Sequence, residues 1–289
     1  MRIIPLSFDS MGVRSMATYV ETEDAKILID PGVALAPRRF GLPPHPIELE
    51  RKEEDWRQIV DYAGRSDILV VTHYHYDHHE SHRDTGVYGG KTVLIKHPLE
   101  MINFSQRNRA AYFLDRIGKL PKKVENADGR KFTFGETQIK FSKPVFHGAD
   151  PRLGYVVEVM VDDGEKKLIH SSDVEGPAIN DQVEFILESE PNVVILDGPL
   201  TYMLDYKYDQ RSLEKSMANI LLMMDRCPLE VLILDHHLLR EANWRERMRG
   251  ILHFGEKTGI KVMTASEYVG KPLNLLEARR VELYERHPV

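Results

Sequence analysis

The sequence predicts an α/β protein in which two β-sheets pack face to face with helices on the outside. Two observations support this prediction: strand-like segments dominate the chain up to His170, and strands then alternate with helices to the end. The 289 residues contain 42% hydrophobic residues, which suits a globular core. Because no repeat, low-complexity segment or Ser/Gly linker divides the chain, we expect one domain over residues 1–289.

The first predicted elements are short strands followed by one long helix. Apolar stretches that end at turn-forming residues predict strands at Arg2–Leu6, Met16–Glu21 and Lys26–Asp30. Apolar residues at helical spacing predict a surface helix over Glu48–Tyr62. The apolar segment Asp67–Thr72 predicts the next strand.

The middle of the chain predicts a strand, a helix and two antiparallel strand pairs. These are strand Lys91–Lys96, helix Leu99–Ile117, a hairpin over Arg130–Val145 that turns at Gly135, and Tyr155–Val161 paired with Lys166–His170 through Asp162-Asp163-Gly164.

The carboxy-terminal part alternates between helical and strand patterns, which is typical of α/β units. The predicted elements are helix Asp181–Glu188, strand Asn192–Leu196, helix Gln210–Arg226, strand Glu230–Asp235, helix Glu241–Lys257, strand Ile260–Met263 and helix Leu273–Arg286. The last helix could cap the domain or contact a partner, and we expect the first.

Composition excludes several classes of protein. No apolar run approaches the ~20 residues needed to cross a membrane, and the amino terminus lacks a signal-peptide pattern, so we expect a cytoplasmic protein. Cys227 is the only cysteine, which rules out an intrachain disulfide and a thiolate metal site. The net charge of −6 argues against a large nucleic-acid surface but leaves room for a local basic patch.

Five of the thirteen histidines lie between Thr72 and His82, directly after a predicted strand. Four groups of metal-ligand type occupy six residues there: His73, His75, Asp77 and His78. In an extended segment the first three would share a face, and the fourth would join them if a helix began with Asp77 as its N-cap. A histidine-rich helix face is the structural alternative, but it leaves the aspartate and the preceding strand unexplained.

Further candidate ligands follow later apolar runs, at positions where a strand should give way to a loop. They are His147, Asp173, and the adjacent pair His236 and His237. Each has a simpler explanation on its own, as a turn residue, a helix cap or a solvated loop. Their joint recurrence at strand ends, where α/β proteins build their sites, favours a metal centre.

The order of these motifs resembles that of the metallo-β-lactamase superfamily, over most of the chain from the strand before Asp30 to about His237. The segments Gly12-Val13-Arg14-Ser15 and Ile29-Asp30-Pro31-Gly32-Val33 are similar to those of an uncharacterised archaeal branch of it. The resemblance implies an αββα four-layer sandwich, with two mixed sheets flanked by helices and two divalent cations at one edge.

The resemblance also implies a role for each candidate ligand. His73, His75 and His147 would hold the first cation, Asp77, His78 and the late histidine would hold the second, and Asp173 and a hydroxide would bridge them. Asp30 would orient a ligand by a hydrogen bond. His236 and His237 both remain candidates, and His236 is favoured because Arg240 follows it as in the superfamily's tRNA-processing nucleases. Zn²⁺ is the expected metal, and Mn²⁺ or Fe²⁺ are also compatible with nitrogen and oxygen ligands.

Such a site predicts a metal-dependent hydrolase that uses the bridging hydroxide as its nucleophile, with Asp77 and Asp173 as catalytic residues. Basic residues that could border the site favour a phosphodiester or another small phosphorus ester. The candidate substrate-binding residues are Arg14, Arg38-Arg39, Arg107, Arg109 and, as an oxyanion donor, Tyr202. The chain lacks room for the extra domain of the RNA-cleaving branch, so we expect a small molecule or a short oligonucleotide.

Three other functions stay open at this point. A carboxylic ester, lactone or thioester hydrolase would use the same centre, and a non-catalytic metal-bound binding module would keep the metals without turnover. A di-iron oxidoreductase is a third hypothesis, although His75 stands where such relatives carry a carboxylate. The sequence requires no membrane and no protein partner, and it leaves a homo-oligomer open.

Overall fold

The first of two large sheets contains six strands from the amino-terminal half. A computed structural model describes residues 1–289. The strands, in both chain and spatial order, are β1 Arg2–Phe8, β2 Met16–Glu21, β3 Lys26–Ile29, β4 Ile68–Val71, β5 Thr92–Ile95 and β6 Lys123–Asn126. Strands β1 to β3 are antiparallel and β3 to β6 are parallel, so the sheet is mixed.

The second large sheet contains seven strands in the order β15-β14-β13-β12-β11-β8-β7. The remaining strands are β7 Lys131–Phe134, β8 Thr137–Phe141, β9 Val145–Phe146, β10 Tyr155–Val156, β11 Val159–Asp162, β12 Lys167–His170, β13 Val193–Asp197, β14 Val231–Asp235 and β15 Lys261–Met263. Strands β12 to β15 are parallel, the others in this sheet are antiparallel, and β9 and β10 form a small separate pair.

Eight α-helices accompany the sheets. They are α1 Pro46–Arg65, α2 Phe104–Ile117, α3 Asp181–Ser189, α4 Gln210–Arg226, α5 Trp244–Arg247, α6 Arg249–Thr258, α7 Ala265–Tyr268 and α8 Arg280–Arg286. None of them combines the length and the apolar composition that a membrane span requires.

Three apolar layers arrange these elements as an αββα sandwich, which confirms the predicted fold class. Strand β4 illustrates how: Ile68 and Val70 lie in the core between the two sheets, whereas Leu69 and Val71 face the helices. This alternation follows from the two-residue period of a strand. Helices α1 and α2 cover the first sheet, and α3, α4 and α6 cover the second.

Several predicted element boundaries were wrong, each for a local reason. The helix predicted from Leu99 begins at Phe104, because the Asn103 side chain accepts a hydrogen bond from the Gln106 amide (2.8 Å) and so acts as the N-cap. The strand predicted over Tyr155–Val161 divides into β10 and β11, because the Val157 amide donates to the Thr72 carbonyl instead of to a neighbouring strand.

The carboxy-terminal predictions also need correction. The helix predicted over Glu241–Lys257 is interrupted at Met248, where the backbone leaves helical geometry (φ −93°, ψ 12°). Of the helix predicted over Leu273–Arg286, only α8 forms. The preceding residues run along the amino-terminal segment instead, and the Asn274 amide donates to the Ser10 carbonyl. Strand β6 and helix α7 were not predicted.

A buried ion pair attaches α8 to α1. The Arg280 guanidinium donates two hydrogen bonds of 2.8 Å to Glu48, and both side chains are fully buried. Arg280 also donates to the carbonyls of Ala36 and Leu42. The buried Arg280 charge is therefore compensated by one carboxylate and two backbone carbonyls.

We expect Arg280→Ala to lower the free energy of unfolding by about 3–5 kcal/mol, because it leaves the Glu48 carboxylate buried without its partner. Denaturant titration measures this change. Arg286→Ala is the matched control: this arginine is 72% exposed and lies 3.7 Å from Glu282, so its loss should cost less than about 1 kcal/mol. Equal effects of the two substitutions would contradict the assignment.

Candidate metal centre

The candidate ligands meet at one edge of the sandwich because each follows the carboxyl end of a strand. His73 follows β4, His147 follows β9, Asp173 follows β12 and His236 follows β14. Three residues at these exits have left-handed backbones: Asp30 (φ 52°), Ser172 (φ 58°) and His236 (φ 58°). Such non-glycine conformations are uncommon and cluster at functional sites.

The histidine-rich loop forms a hydrogen-bonded turn, and the predicted helix beginning at Asp77 is absent. The His78 amide donates to the His75 carbonyl (3.0 Å), and this turn brings His78 to the same side as the preceding ligands. Gly32 lies against the loop so closely that a Cβ atom there would come within 2.3 Å of the His79 backbone nitrogen. The Asp-Pro-Gly turn therefore needs glycine at this position.

The Asp173 carboxylate stands between two groups of histidines, one for each of its oxygens. Its Oδ2 lies 3.2 Å from His147 Nε2, 3.4 Å from His73 Nε2 and 4.0 Å from His75 Nδ1. Its Oδ1 lies 2.8 Å from His78 Nε2 and 3.2 Å from His236 Nε2. One buried carboxylate is thus shared by both groups.

Asp77 completes the second group. Its Oδ2 lies 3.8 Å from His236 Nε2 and 3.8 Å from an Arg240 guanidinium nitrogen. The structure therefore contains two sets of four potential ligands with Asp173 in common. They are His73, His75, His147 and Asp173, and Asp77, His78, Asp173 and His236.

The donor sets fit two divalent cations. A tetrahedral cation with bonds of 2.0–2.2 Å to nitrogen and oxygen separates its ligand atoms by about 3.3 Å, close to the distances around Asp173. His73 Nε2, His78 Nε2 and Asp173 Oδ1 are also buried without a hydrogen-bond partner. Buried polar atoms normally have partners, so these unsatisfied atoms fit the binding of a cation at their centre.

Carboxylates behind the second group fix its imidazoles. Asp30 accepts hydrogen bonds from the Thr72 amide and hydroxyl, and its Oδ2 lies 2.7 Å from His78 Nδ1. Asp9 Oδ2 lies 2.7 Å from His236 Nδ1. Each contact leaves the Nε2 atom facing Asp173, as expected for oriented metal ligands.

His236 and His237 lie in different environments. His236 faces Asp77 and Asp173, whereas His237 Nδ1 is held by Asp197 (2.9 Å) and its Nε2 points toward Glu175 (3.9 Å). The geometry therefore favours His236 as a ligand of the second group. A further cluster of Asp173, Asp197 and His237 has potential ligand atoms close together, but His237 already uses Nδ1 for its contact with Asp197.

Electrostatics differ between the two groups. Burial lowers the pKa of the His78 imidazole, but Asp173 and Asp30 outweigh burial and raise it to about 10. His236 behaves in the same way, and its pKa lies well above the usual value. Burial lowers the pKa of His75 to about 4. Without metal, the imidazoles of His78 and His236 are therefore protonated at neutral pH, and that of His75 is not.

Asp173 and Asp197 show how strongly burial and charge compete here. Burial would raise the pKa of Asp173, but the neighbouring imidazoles, led by His78, hold it well below its usual value. At Asp197 burial dominates and raises the pKa to about 8. Glu175 also has a raised pKa because it is buried.

A cavity of about 350 Å³ opens beside the first group. Its wall includes His147 and Glu175 near the ligands and the predicted substrate residue Tyr202. Tyr202 carries the Arg39 guanidinium over its ring at 4.4 Å from the centroid. Tyr202 thus contacts both the cavity and Arg39, which is also a predicted substrate-binding residue.

The other predicted substrate-binding residues lie in different places. Arg14 is held by two hydrogen bonds of 2.6 Å to Glu277, which neutralises its charge. Arg107 donates to the Leu99 carbonyl and does not line the cavity. Arg109 lies over the Tyr76 ring, on the outer side of the histidine loop.

Sequence analysis did not identify three polar residues that support the site. Asp9 holds His236 and accepts a 2.8 Å hydrogen bond from Arg240. Asp197 holds His237, and Ser172 contacts Thr72 (2.6 Å). Asp9 and Asp197 lie at strand ends, as the ligands do, and this position is the signal that could have identified them.

We expect His236→Ala to bind about one zinc ion per chain where the wild type binds about two, because it removes a ligand of the second group. His237→Ala is the matched control and should retain about two, since that imidazole is held by Asp197. Elemental analysis of protein reconstituted with zinc measures both, with thermal unfolding to check folding. Loss of metal from His237→Ala but not from His236→Ala would reverse the assignment.

Zinc binding at pH 7 should release about two protons, because His78 and His236 carry protons in the metal-free protein and must lose them to bind metal. Their pKa values are raised, so zinc affinity should increase as the pH rises from 7 towards 10. Calorimetry in buffers of different ionisation enthalpy counts the protons. Asp30→Asn should reduce the number, and an absence of proton release would contradict the assigned charge states.

Comparison with known proteins places the chain in a family and confirms its fold. It is 54% identical over 289 residues to a UPF0282 protein of Korarchaeum cryptofilum, covering 100% of this chain and 96% of the relative. It is 45% identical over 289 residues to a UPF0282 protein of Sulfolobus acidocaldarius, covering 99% and 93%. No protein-family model matches the chain.

Solved structures of similar fold share little sequence with this chain. An isothiocyanate hydrolase from Delia radicum gut bacteria superimposes with a TM-score of 0.56 and 16% identity, over 88% of this chain and 94% of that one. The metallo-β-lactamase fold protein YhfI from Bacillus subtilis gives 0.53 and 14%, over 91% and 95%. A possible metal-dependent hydrolase from Veillonella parvula DSM 2008 gives 0.50 and 13%, over 88% and 94%. The chain has the metallo-β-lactamase fold and belongs to the archaeal UPF0282 family.

Proposed function

We propose that this protein is a dinuclear-metal-dependent hydrolase that acts on a phosphodiester or a related small phosphorus ester. The observation that carries the proposal is the pair of four-residue ligand sets that share the Asp173 carboxylate. Isolated histidine clusters have many explanations. Two adjacent sets with one bridging carboxylate and oriented imidazoles are typical of two-metal hydrolytic centres.

In the proposed assignment each cation has three ligands that it does not share and one ligand, Asp173, that both share. His73, His75 and His147 would hold the first, Asp77, His78 and His236 the second, and Asp173 both. When bound, the cations would supply a water of lowered pKa and Lewis-acid stabilisation of developing negative charge. Zn²⁺ is the proposed metal, because imidazole and carboxylate ligands suit it, and Mn²⁺ or Fe²⁺ would also accept this ligand set.

The charge of the loaded centre favours an anionic substrate. Two dications outweigh the carboxylates of Asp77 and Asp173, and the buried Arg240 guanidinium lies beside Asp77. Asp9 lies 2.8 Å from the Arg240 Nε and neutralises this cation, so the excess positive charge would come from the two metal ions. A phosphoryl group would therefore enter a locally positive site even though the chain as a whole is acidic.

The cavity sets the size of the substrate. Its volume of about 350 Å³ lies near the lower end of ordinary ligand pockets, which suits a small ester or the end of a short strand. Two of its three acidic wall residues are already engaged: Asp150 pairs with Arg152, and Asp209 accepts a hydrogen bond from the Ser212 amide at the start of α4. The third, Glu175, is buried and lies 3.7 Å from His147 Nδ1. In the proposed role, the Tyr202 hydroxyl would donate to an oxygen of the bound ester.

The proposal predicts turnover of a chromogenic phosphodiester by zinc- or manganese-loaded protein and its loss after chelation. Asp77→Asn should lower turnover by at least about a hundredfold, because it removes a negatively charged ligand, whereas loss of outer partners alone typically costs 10–100-fold. Asp61→Asn, on the exposed face of α1, is the matched control and should retain full activity.

A parallel assay with a lactone and a glutathione thioester separates the alternatives. Turnover of only these carboxylic substrates would overturn the phosphorus-ester proposal while keeping a hydrolase. Stoichiometric zinc with no turnover of any class would instead favour a non-catalytic binding module.

A further inference from the structure

We propose that the exposed side of α2, together with the outer side of the histidine loop, binds single-stranded nucleic acid. The surface consists of Tyr76, His82, Arg109, Tyr112, Arg116 and Lys119, and we call it the α2 ridge. The binding surface is inferred from its own residues. That a bound strand would reach the metal centre for hydrolysis rests on the proposed function.

The first observation is a local excess of positive charge. Between Phe104 and Lys123 the chain carries six Lys and Arg residues and one acidic residue, Asp115, a net of +5 in a protein whose total is −6. Such a segregated patch is the electrostatic feature expected of a surface that contacts phosphates. Elsewhere the acidic residues outnumber the basic ones.

The second observation is that these cations lack carboxylate partners. Only Lys123 forms an ion pair, with Glu125. Arg107 and Arg116 donate to the backbone carbonyls of Leu99 and Ser81 instead. The unpaired cations of the segment are Arg107, Arg109, Arg116, Lys119 and Lys122. Arg107, Arg109 and Arg116 lie on α2, and Lys119 and Lys122 follow its end. Unpaired cations this close in the chain repel one another, and a bound polyanion would relieve that repulsion.

The third observation is that aromatic rings alternate with the cations. Arg109, Tyr112 and Arg116 occupy positions i, i+3 and i+7 of α2 and so lie along one side of it. Arg109 lies over Tyr76 at 4.9 Å, and His82 packs between Tyr76 (4.6 Å) and Tyr112 (5.2 Å).

These rings are accessible to a ligand. Tyr76 is 39% exposed and Tyr112 is 41% exposed. Exposed rings between cations are the arrangement on which successive unpaired bases stack while the phosphates meet Arg and Lys. A duplex keeps its base faces stacked internally and could use only the cations, so the rings favour a single strand.

The ridge is continuous with the metal centre at Tyr76, which stands between the candidate ligands His75 and Asp77. The start of α2 is also joined to the cavity wall. The side-chain Nδ2 of Asn103 donates to the Arg152 carbonyl (2.8 Å), and the side-chain Nε2 of Gln106 donates to the Leu153 carbonyl (3.0 Å). A strand lying on the ridge would therefore run towards the rim of the cavity.

The test measures fluorescence anisotropy of a labelled ten-nucleotide single strand with phosphorothioate linkages, which resist turnover, against the zinc-loaded full chain. Arg109→Gln/Arg116→Gln/Lys119→Gln should weaken binding at least tenfold at about 0.1 M salt. It should also reduce the slope of log K against log salt by about 2, since each phosphate contact on a single strand contributes about 0.7. Tyr112→Ala should weaken binding about tenfold through lost stacking.

The matched control is Arg65→Gln/Lys166→Gln/Arg226→Gln, which removes the same charge from three exposed cations that each have a carboxylate partner elsewhere on the surface. It should change binding less than twofold. Equal losses in both triple variants would overturn the proposal, because net charge alone would then explain binding. Equal affinity for a duplex of the same length, with no effect of Tyr112→Ala, would also overturn it.

Wild-type protein separates this inference from the proposed function. Binding of the strand without hydrolysis of any phosphorus ester would leave the ridge standing and remove the proposed activity. Hydrolysis of the chromogenic phosphodiester without binding of the strand would overturn the ridge as a binding surface and support the proposed activity.

Discussion

The arrangement of the site depends on one buried carboxylate, that of Asp173, whose two oxygens face different groups of histidines. Asp173 follows the end of β12 and comes directly after Ser172, whose backbone is left-handed. A buried charge of this kind is unfavourable unless it is compensated. In the metal-free protein, protonated imidazoles compensate it, and cations would take over that role on binding.

Three further carboxylates fix the orientation of histidines around Asp173. Asp30 holds His78, Asp9 holds His236 and Asp197 holds His237, and the three acids are buried. Each acid comes from the end of a different strand, so the orientation of the imidazoles follows from the register of the two sheets. Hydrogen bonds to buried acids fix the orientation of these imidazoles in a low-dielectric interior.

The sequence was most informative where chemistry and strand ends coincide. His147 and Asp173 could be selected from it because each follows an apolar run, and the predicted αββα sandwich is confirmed. The turn at His78 was not predictable, because it depends on the close approach of Gly32, 46 residues earlier in the chain. The partner of Arg14 was hidden for the same reason, since Glu277 is separated from it by 263 residues. Local patterns locate potential ligands, but long-range packing decides which charges remain free.

Access to the centre is asymmetric, and this asymmetry links the site to the rest of the surface. His73, His78 and His236 are fully buried, whereas His75 and Asp77 are partly exposed. The two accessible ligands flank Tyr76, whose ring projects to the outside, and His147 borders the cavity on the other side. The exposed parts of the ligand sets therefore lie between the cavity and Tyr76. Within the second group, the buried Arg240 lies beside Asp77, and Asp77 is the one ligand of that group that remains partly exposed.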